Sequence, residues 1–456
     1  MKQLPWFFGL LALIGLSARL AHFSSSQILA VTVFASFILG TLFYWQFRLA
    51  FALMGAASLL TLKLIDIPHL IEFCNIDIIL FLIAMMTVIG FLEERKFFEV
   101  LLEKLLDKIS HRPRLFFPTM MALSMLTAAL VDEVTSILFM TSLTLHLTRR
   151  LKLEPFPFIV MIVLATNVGS SATVVGNPIG VLIALRAGLS FSDFLRWATP
   201  ISLVCLVAAI GICLLYFRDP LEKMAEGVAL AREKALDEGR WSKKEFRLAC
   251  WIFAATVAGL VIHHQAEHLL QLPKNTLLIA FPFLMAGICL LIQGERAREL
   301  VEKRVDWWTL VFFLMLFASV GTLRYVGVTD RIAEGLASMA GGNEVLFLAL
   351  ILVISAILTA FLDNILVVAT FIPIVSGLAA QGVSAAPLWW ALLFGGTLGG
   401  NATMIGSTAN VVAIGMLEKE KHPIRFSQWL GPGLAVTIPT LIIAFLLLWL
   451  QLPLMK

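Results

Sequence analysis

Charge is what this sequence has least of. Only 14% of its 456 residues are Asp, Glu, Lys or Arg, where a soluble domain carries about 25%. Hydrophobic residues make up 60%, and the mean hydropathy is +0.93. That balance excludes a water-soluble fold and makes lipid the solvent for most of the chain. The net charge of +4 comes mainly from loops flanking apolar runs, so no nucleic-acid partner is expected. Cysteine is scarce as well. The five (Cys74, Cys205, Cys213, Cys250 and Cys289) are odd in number and scattered, which argues against a disulfide framework and a zinc site. They read as small buried hydrophobes. The eight histidines are scattered too, with His263 and His264 at a span end. No P-loop, zinc-protease or G-x-S-x-G pattern is present. No cofactor and no enzymatic activity are expected, and an ion gradient is the expected energy source, with sodium or protons as the coupling ion.

What is present is a nearly continuous series of apolar runs of about 20 residues, the length that crosses a bilayer. They predict an all-α polytopic membrane protein with about eleven transmembrane helices. Two further apolar blocks, 114–148 and 343–380, are too long for one crossing. Each is interrupted by a polar dipeptide, Asp132-Glu133 and Asp363-Asn364, and reads as a re-entrant hairpin. The opening segment, Lys2 and an apolar run to Leu20, has the outline of a signal peptide. Its length favours an uncleaved first helix over 1–25. Residues 26–217 then form repeat 1, with hairpin 114–148 and a broken helix at 156–186. A charged linker covers 218–247. Residues 248–456 form repeat 2, with hairpin 343–380 and a broken helix at 386–416.

The repeat is visible as four paired blocks. Asp77-Ile-Ile-Leu-Phe-Leu resembles Asp306-Trp-Trp-Thr-Leu-Val. Leu130-Val-Asp-Glu-Val resembles Phe361-Leu-Asp-Asn-Ile. Ala172-Thr-Val-Val-Gly resembles Ala402-Thr-Met-Ile-Gly, and Phe191-Ser-Asp-Phe-Leu resembles Phe426-Ser-Gln-Trp-Leu. Each half has five crossings, an odd number, so the second half is inverted relative to the first. Inverted repeats with interrupted helices mark secondary transporters. Placing the N-terminus inside puts 26 of the 34 Lys and Arg residues on the cytoplasmic side, as the positive-inside rule requires of a bacterial-type inner membrane protein. The stretch from Glu93 to about His111, and its counterpart Asp330 to Ala340, read as interfacial helices.

Polar groups inside these apolar runs are the candidates for chemistry. The segment 167–180 offers Asn167, Ser170, Ser171, Thr173 and Asn177 among three glycines and a proline, and 395–410 is its partner. Both predict non-helical backbone at membrane depth. Unwound backbone is tolerated there only inside protein or beside a watery cavity, where free carbonyls ligate cations and half-helix N-termini hold anions. The acids Asp132, Glu133 and Asp363 are the second feature. An ionisable group in the membrane costs about 2.5–3.5 kcal/mol even on lenient scales. No Lys or Arg lies in 116–148 or 346–378. Burial raises a carboxylate pKa and a bound cation lowers it, which suits proton exchange.

The segments LTAALVDEVTSILF, PFIVMIVLATNVGSSATVVGNP, VDWWTLVFF, LTAFLDNILVVATFIPIV and LGGNATMIGSTANVV together resemble the ion transporter superfamily. That superfamily includes arsenite permeases, the P protein, NhaD-type sodium/proton antiporters and citrate/dicarboxylate carriers. The likeness runs from about Asp77 to Leu450 and is nearest to the P-protein and NhaD-type branch. It implies a homodimer in the bilayer, an elevator-like transport domain, and a substrate or ion site built from the two hairpins and two broken helices. By position it carries over Asp132, Asn167, Thr173, Asp363, Asn364, Asn401, Thr403, Ser407 and Asn410. Glu133, Ser170, Asn177 and Thr408 complete the candidate binding set. Two departures stand out. Asp132-Glu133 replaces the Asp-Asn common in the branch, and Gly176-Asn-Pro-Ile-Gly replaces Gly-Asp-Pro-Pro-Asn. The acids, with no Lys or Arg in either hairpin, point to sodium/proton exchange. The hydroxyl groups and helix N-termini point to a coupled anion permease, citrate-like, dicarboxylate-like or arsenite-like.

Overall fold

The computed structural model describes residues 4–44, 47–97, 100, 113–131, 133–231, 242–273 and 275–455. Asp132, most of the expected interfacial stretch near 98–111, and linker residues 232–241 lie outside that set. Among the described residues the protein is all-helical, without strands. Seven helices are long and apolar enough to cross a membrane, and eight shorter apolar helices accompany them. The shorter ones include one arm of each hairpin and three of the four halves of the broken helices. The architecture is that of a polytopic protein with two inverted repeats and broken helices.

The chain forms two compact units. The first comprises Met1–Ile83, Val305–Phe347 and Ala369–Ala385. Its core joins Ala30, Leu59, Leu64, Ile65, Leu323 and Val328. Ser24 and Gln27 form a capping box at the start of Ser25–Phe43. The same Gln27 donates from Nε2 to the carbonyls of Val326 (3.1 Å) and Gly327 (3.2 Å), so one side chain fixes a helix start and a turn from the other end of the sequence. Asp66 caps Ile67–Phe73. The His69 amide and ring hold its carboxyl below the usual range.

The second unit comprises Ala84–Arg304, Leu348–Val368 and Ala386–Lys456, and it contains every described candidate residue. The first hairpin pairs Pro113–Leu130 with Glu133–Leu151. The second pairs Glu344–Phe361 with Asn364–Ala380, and its tip belongs to this unit. Phe156–Ser170 and Ala385–Leu398 are apolar all round and buried almost throughout, as such helices must be. The two repeats pack their hairpins onto these helices through the same contact. A Cβ on Gly169 would fall 2.3 Å from the Met125 carbonyl oxygen, and one on Gly399 would fall 2.5 Å from that of Ala356. Only glycine allows that approach.

Candidate functional site

Two helices stop inside the unit and start again. After Ser170 the α-helix ends, one 3-10 turn covers Val174–Gly176, and helix resumes at Pro178. After Leu398 the chain makes the 3-10 turn Gly399–Ala402 and resumes at Thr408. Thr173, Asn177, Thr403 and Ser407 are all extended. Gly176 and Gly406 permit the tight reversals, since a Cβ there would lie 2.5 Å from the Ser170 oxygen and 2.7 Å from the Gly400 oxygen. Both breaks are shorter than the sequence suggests. Asn167 to Ser170 and Gly395 to Leu398 stay helical, because the glycines there serve close packing and not chain reversal.

The broken segments meet through amides. Asn167 donates from Nδ2 to Asn401 Oδ1 and to Asn410 Oδ1, both at 2.8 Å. Its own Oδ1 accepts from Ser407 Oγ at 3.0 Å. Asn410 spends both amide hydrogens on break carbonyls, Gly400 at 2.8 Å and Thr403 at 2.7 Å. Asn401 donates to the Leu164 carbonyl at 3.4 Å. All four side chains are buried. Each bond contributes about 1 kcal/mol net, but orphaning one buried partner costs about 1–3 kcal/mol. This cluster clasps the two breaks together.

Three other candidates act locally. Thr173 donates to the Ala129 carbonyl and Thr403 to the Ala360 carbonyl, the same bond in each repeat. Asn177 donates to Ser170 Oγ at 2.9 Å and accepts from the Gly180 amide at 2.8 Å, capping the restarted helix.

The acids sit at the hairpin tips. Glu133 is 1% exposed and Asp363 7%. Asn364 Nδ2 lies 3.5 Å from Glu133 Oε1, so the tips of the two hairpins touch at equivalent positions of the two repeats. Thr408 Oγ1 donates to Asp363 Oδ2 at 3.2 Å, and the Ile365 amide donates to Asp363 Oδ1 at 3.0 Å. Because Ser407 binds Asn167 and Thr408 binds Asp363, the amide clasp and the acids are neighbours along one chain segment. Among the described residues no group of three or more His, Cys, Asp and Glu is placed to hold a metal ion.

Several contributing residues escape a sequence reading. Ser124 Oγ is 2.7 Å from Thr166 Oγ1, fastening the first hairpin to the first broken helix. Thr127 and Ser136 hydroxyls, 2.6 Å apart, join that hairpin's arms. Trp429 Nε1 donates to the Asn401 carbonyl at 3.1 Å. Small hydroxyl residues in apolar helices usually bond back to their own helix, so nothing in the sequence marks these as cross-links.

A family model for citrate transporters, CitMHS, matches residues 37–395. The chain belongs to that family. Within the family's reach, the uncharacterized transporter Rv2684 of Mycobacterium tuberculosis is 33% identical over 412 residues, covering 88% of this chain and 92% of that protein. The P protein of Homo sapiens is 26% identical over 464 residues, covering 85% of this chain and 55% of that protein. The crystal structure of the Alcanivorax borkumensis YdaH transporter aligns with a TM-score of 0.52 at 16% identity. It covers 82% of this chain and 85% of that one, a likeness of fold alone. The protein is thus a multi-pass membrane transporter of the ion transporter superfamily and not an enzyme.

Proposed function

We propose that this transporter is a secondary active carrier that exchanges sodium for protons by alternating access. In this reading it works as a homodimer in a bacterial inner membrane, with an elevator-like transport domain and a cytoplasmic N-terminus. The observation that carries it is the meeting of two buried acidic hairpin tips, Glu133 against Asn364 and Asp363 against Thr408. A carboxylate out of water favours its protonated form, and a bound cation favours its ionised form. Two ligands competing for the same groups are coupled, and the coupling is reciprocal. Sodium entering from one side then expels the proton that enters from the other.

A second reading, sodium- or proton-coupled transport of a citrate-like anion, draws on the family description and on the restarted helices Pro178–Ala187 and Thr408–Lys419, whose N-termini favour negative charge. Against it, Asn177 and Ser407 already occupy the Gly180 and Ala409 amides. Proteoliposomes given sodium, proton or citrate gradients separate the two. Exchange predicts sodium-driven proton movement without citrate; proton or sodium movement only when citrate is present supports the anion reading. Labelling of a cysteine placed at Ala231 by an impermeant thiol reagent, from the cytoplasmic side only, tests the orientation.

A further inference from the structure

The last helix of each repeat runs over the break that precedes it, and the two do so differently. In repeat 1 the helix Phe191–Tyr216 contains a π-turn, Phe194–Ala198. A π-turn adds one residue to the helix. In repeat 2, Phe426–Gln451 is α-helical throughout. The consequence falls on one carbonyl. Ala172 and Ala402 occupy equivalent places in the two breaks. Thr199 Oγ1 donates to the Ala172 oxygen at 2.8 Å and also to Phe194 at 3.2 Å, across the π-turn. Over the Ala402 oxygen stands Gly433, where a Cβ would be only 2.7 Å away. Three residues further on, Ser202 Oγ meets Ser171 Oγ at 2.9 Å, whereas the equivalent Val436 has no hydroxyl to offer.

The burial of the breaks follows suit. Every residue from Ser171 to Asn177 is buried, while Met404 is half-buried and Ile405 is exposed.

We propose that Thr199 is a positioning residue that holds the first break closed, so that the second break, at Met404–Ile405, is where the transported ion reaches the hairpin acids. This rests on the transport reading above and adds to it which half yields. The π-turn sets Thr199 over the Ala172 carbonyl. That carbonyl is then spent, and the segment just after Asn167 is stiffened. The second break is braced from within its own segment by Asn410, but over its Ala402 carbonyl the last helix sets only Gly433, and Ile405 stays exposed.

Hydrogen–deuterium exchange of the full-length protein in lipid nanodiscs tests it without any transport assay. In the wild type, amides of 171–177 should exchange at least about tenfold more slowly than those of 403–407. Thr199→Val, which keeps the shape and removes the donor, should speed 171–177 by about tenfold, the scale of one buried hydrogen bond. Thr199→Ser should restore wild-type exchange. In proteoliposomes Thr199→Val should raise the apparent KM for the driving cation several-fold with the maximal rate kept. Equal exchange in both breaks, unchanged 171–177 in Thr199→Val, or a lowered rate with unchanged KM would each overturn the proposal. If Thr199→Val does not fold, Ser202→Ala must loosen 171–177, and unchanged exchange there overturns it. Absence of flux under every gradient would instead overturn the transport reading and leave the exchange result standing.

Discussion

The two broken helices share a backbone plan and differ in what covers them. Both stop before a glycine-permitted reversal, both send a threonine hydroxyl to the same hairpin carbonyl, and both receive a hairpin on a side-chain-free glycine. Beyond that plan the first is tied to the last helix of its repeat by Thr199 and Ser202 and its preceding helix to the hairpin by Ser124 and Thr166, while the second is braced from within by Asn410 and covered by Trp429 and Gly433. The tips differ in the same sense: Glu133 in one hairpin faces Asn364 in the other. Duplication supplied the fold twice, and the chemistry then diverged. A carrier needs a rigid reference and a part that yields around its ligand, and this divergence assigns those parts to different halves of one pseudo-symmetric unit.

The largest effects should test what the halves share. Gly169→Val and Gly399→Val each drive a side chain into a backbone oxygen, at 2.3 Å and 2.5 Å from the first added carbon. Each should cost more than about 4 kcal/mol, the range of severe core changes, and leave little folded protein by size exclusion and thermal melting. Marked tolerance at one position only would show that the hairpins do not dock alike. Next come the tips. Asp363→Asn keeps the shape and removes the charge, so folding should survive while coupled flux falls to that of empty liposomes. Glu133→Gln should retain flux with a displaced pH profile, because its partner Asn364 still has an oxygen to donate to. If the two variants behave identically, Glu133 and Asp363 share one role at the tips.

A smaller effect should come from the clasp. Asn410→Ala removes the donor to Gly400 and Thr403 and should lower stability by about 2–3 kcal/mol, the cost of orphaned buried carbonyls. Exchange should quicken at 399–407 before 171–177. The smallest should be Arg149→Ala. It deletes the ion pair from the first hairpin to Glu420. Arg149 is mostly exposed, so the cost should stay below about 1 kcal/mol. A larger loss of stability would make that pair part of the unit's framework.

Much of this was legible in the residues. A polar dipeptide in the middle of 35 apolar residues can only be a tip or a break, and Asp363-Asn364 proved to be a tip between two helices. Runs of Gly, Ser, Thr and Asn at matching repeat positions marked both breaks. The sequence overstates their length, because a glycine that admits a neighbouring backbone, such as Gly169, leaves the same mark as one that reverses the chain. The π-turn at Phe194–Ala198 leaves none: its sequence, Phe-Leu-Arg-Trp-Ala, suits an α-helix equally well. Thr199 and Ser202 are likewise indistinguishable from residues that bond back to their own helix. What the sequence missed is register, and register decides which half is locked.

In the exchange proposed here, sodium and protons compete for the acids at the hairpin tips. Calorimetric titration of the purified protein with sodium, in two buffers of different ionisation enthalpy, counts the protons released on binding. Competition for one site predicts proton release by the wild type near neutral pH and little or none by Asp363→Asn. Sodium binding without proton release, or release undiminished in Asp363→Asn, would contradict it.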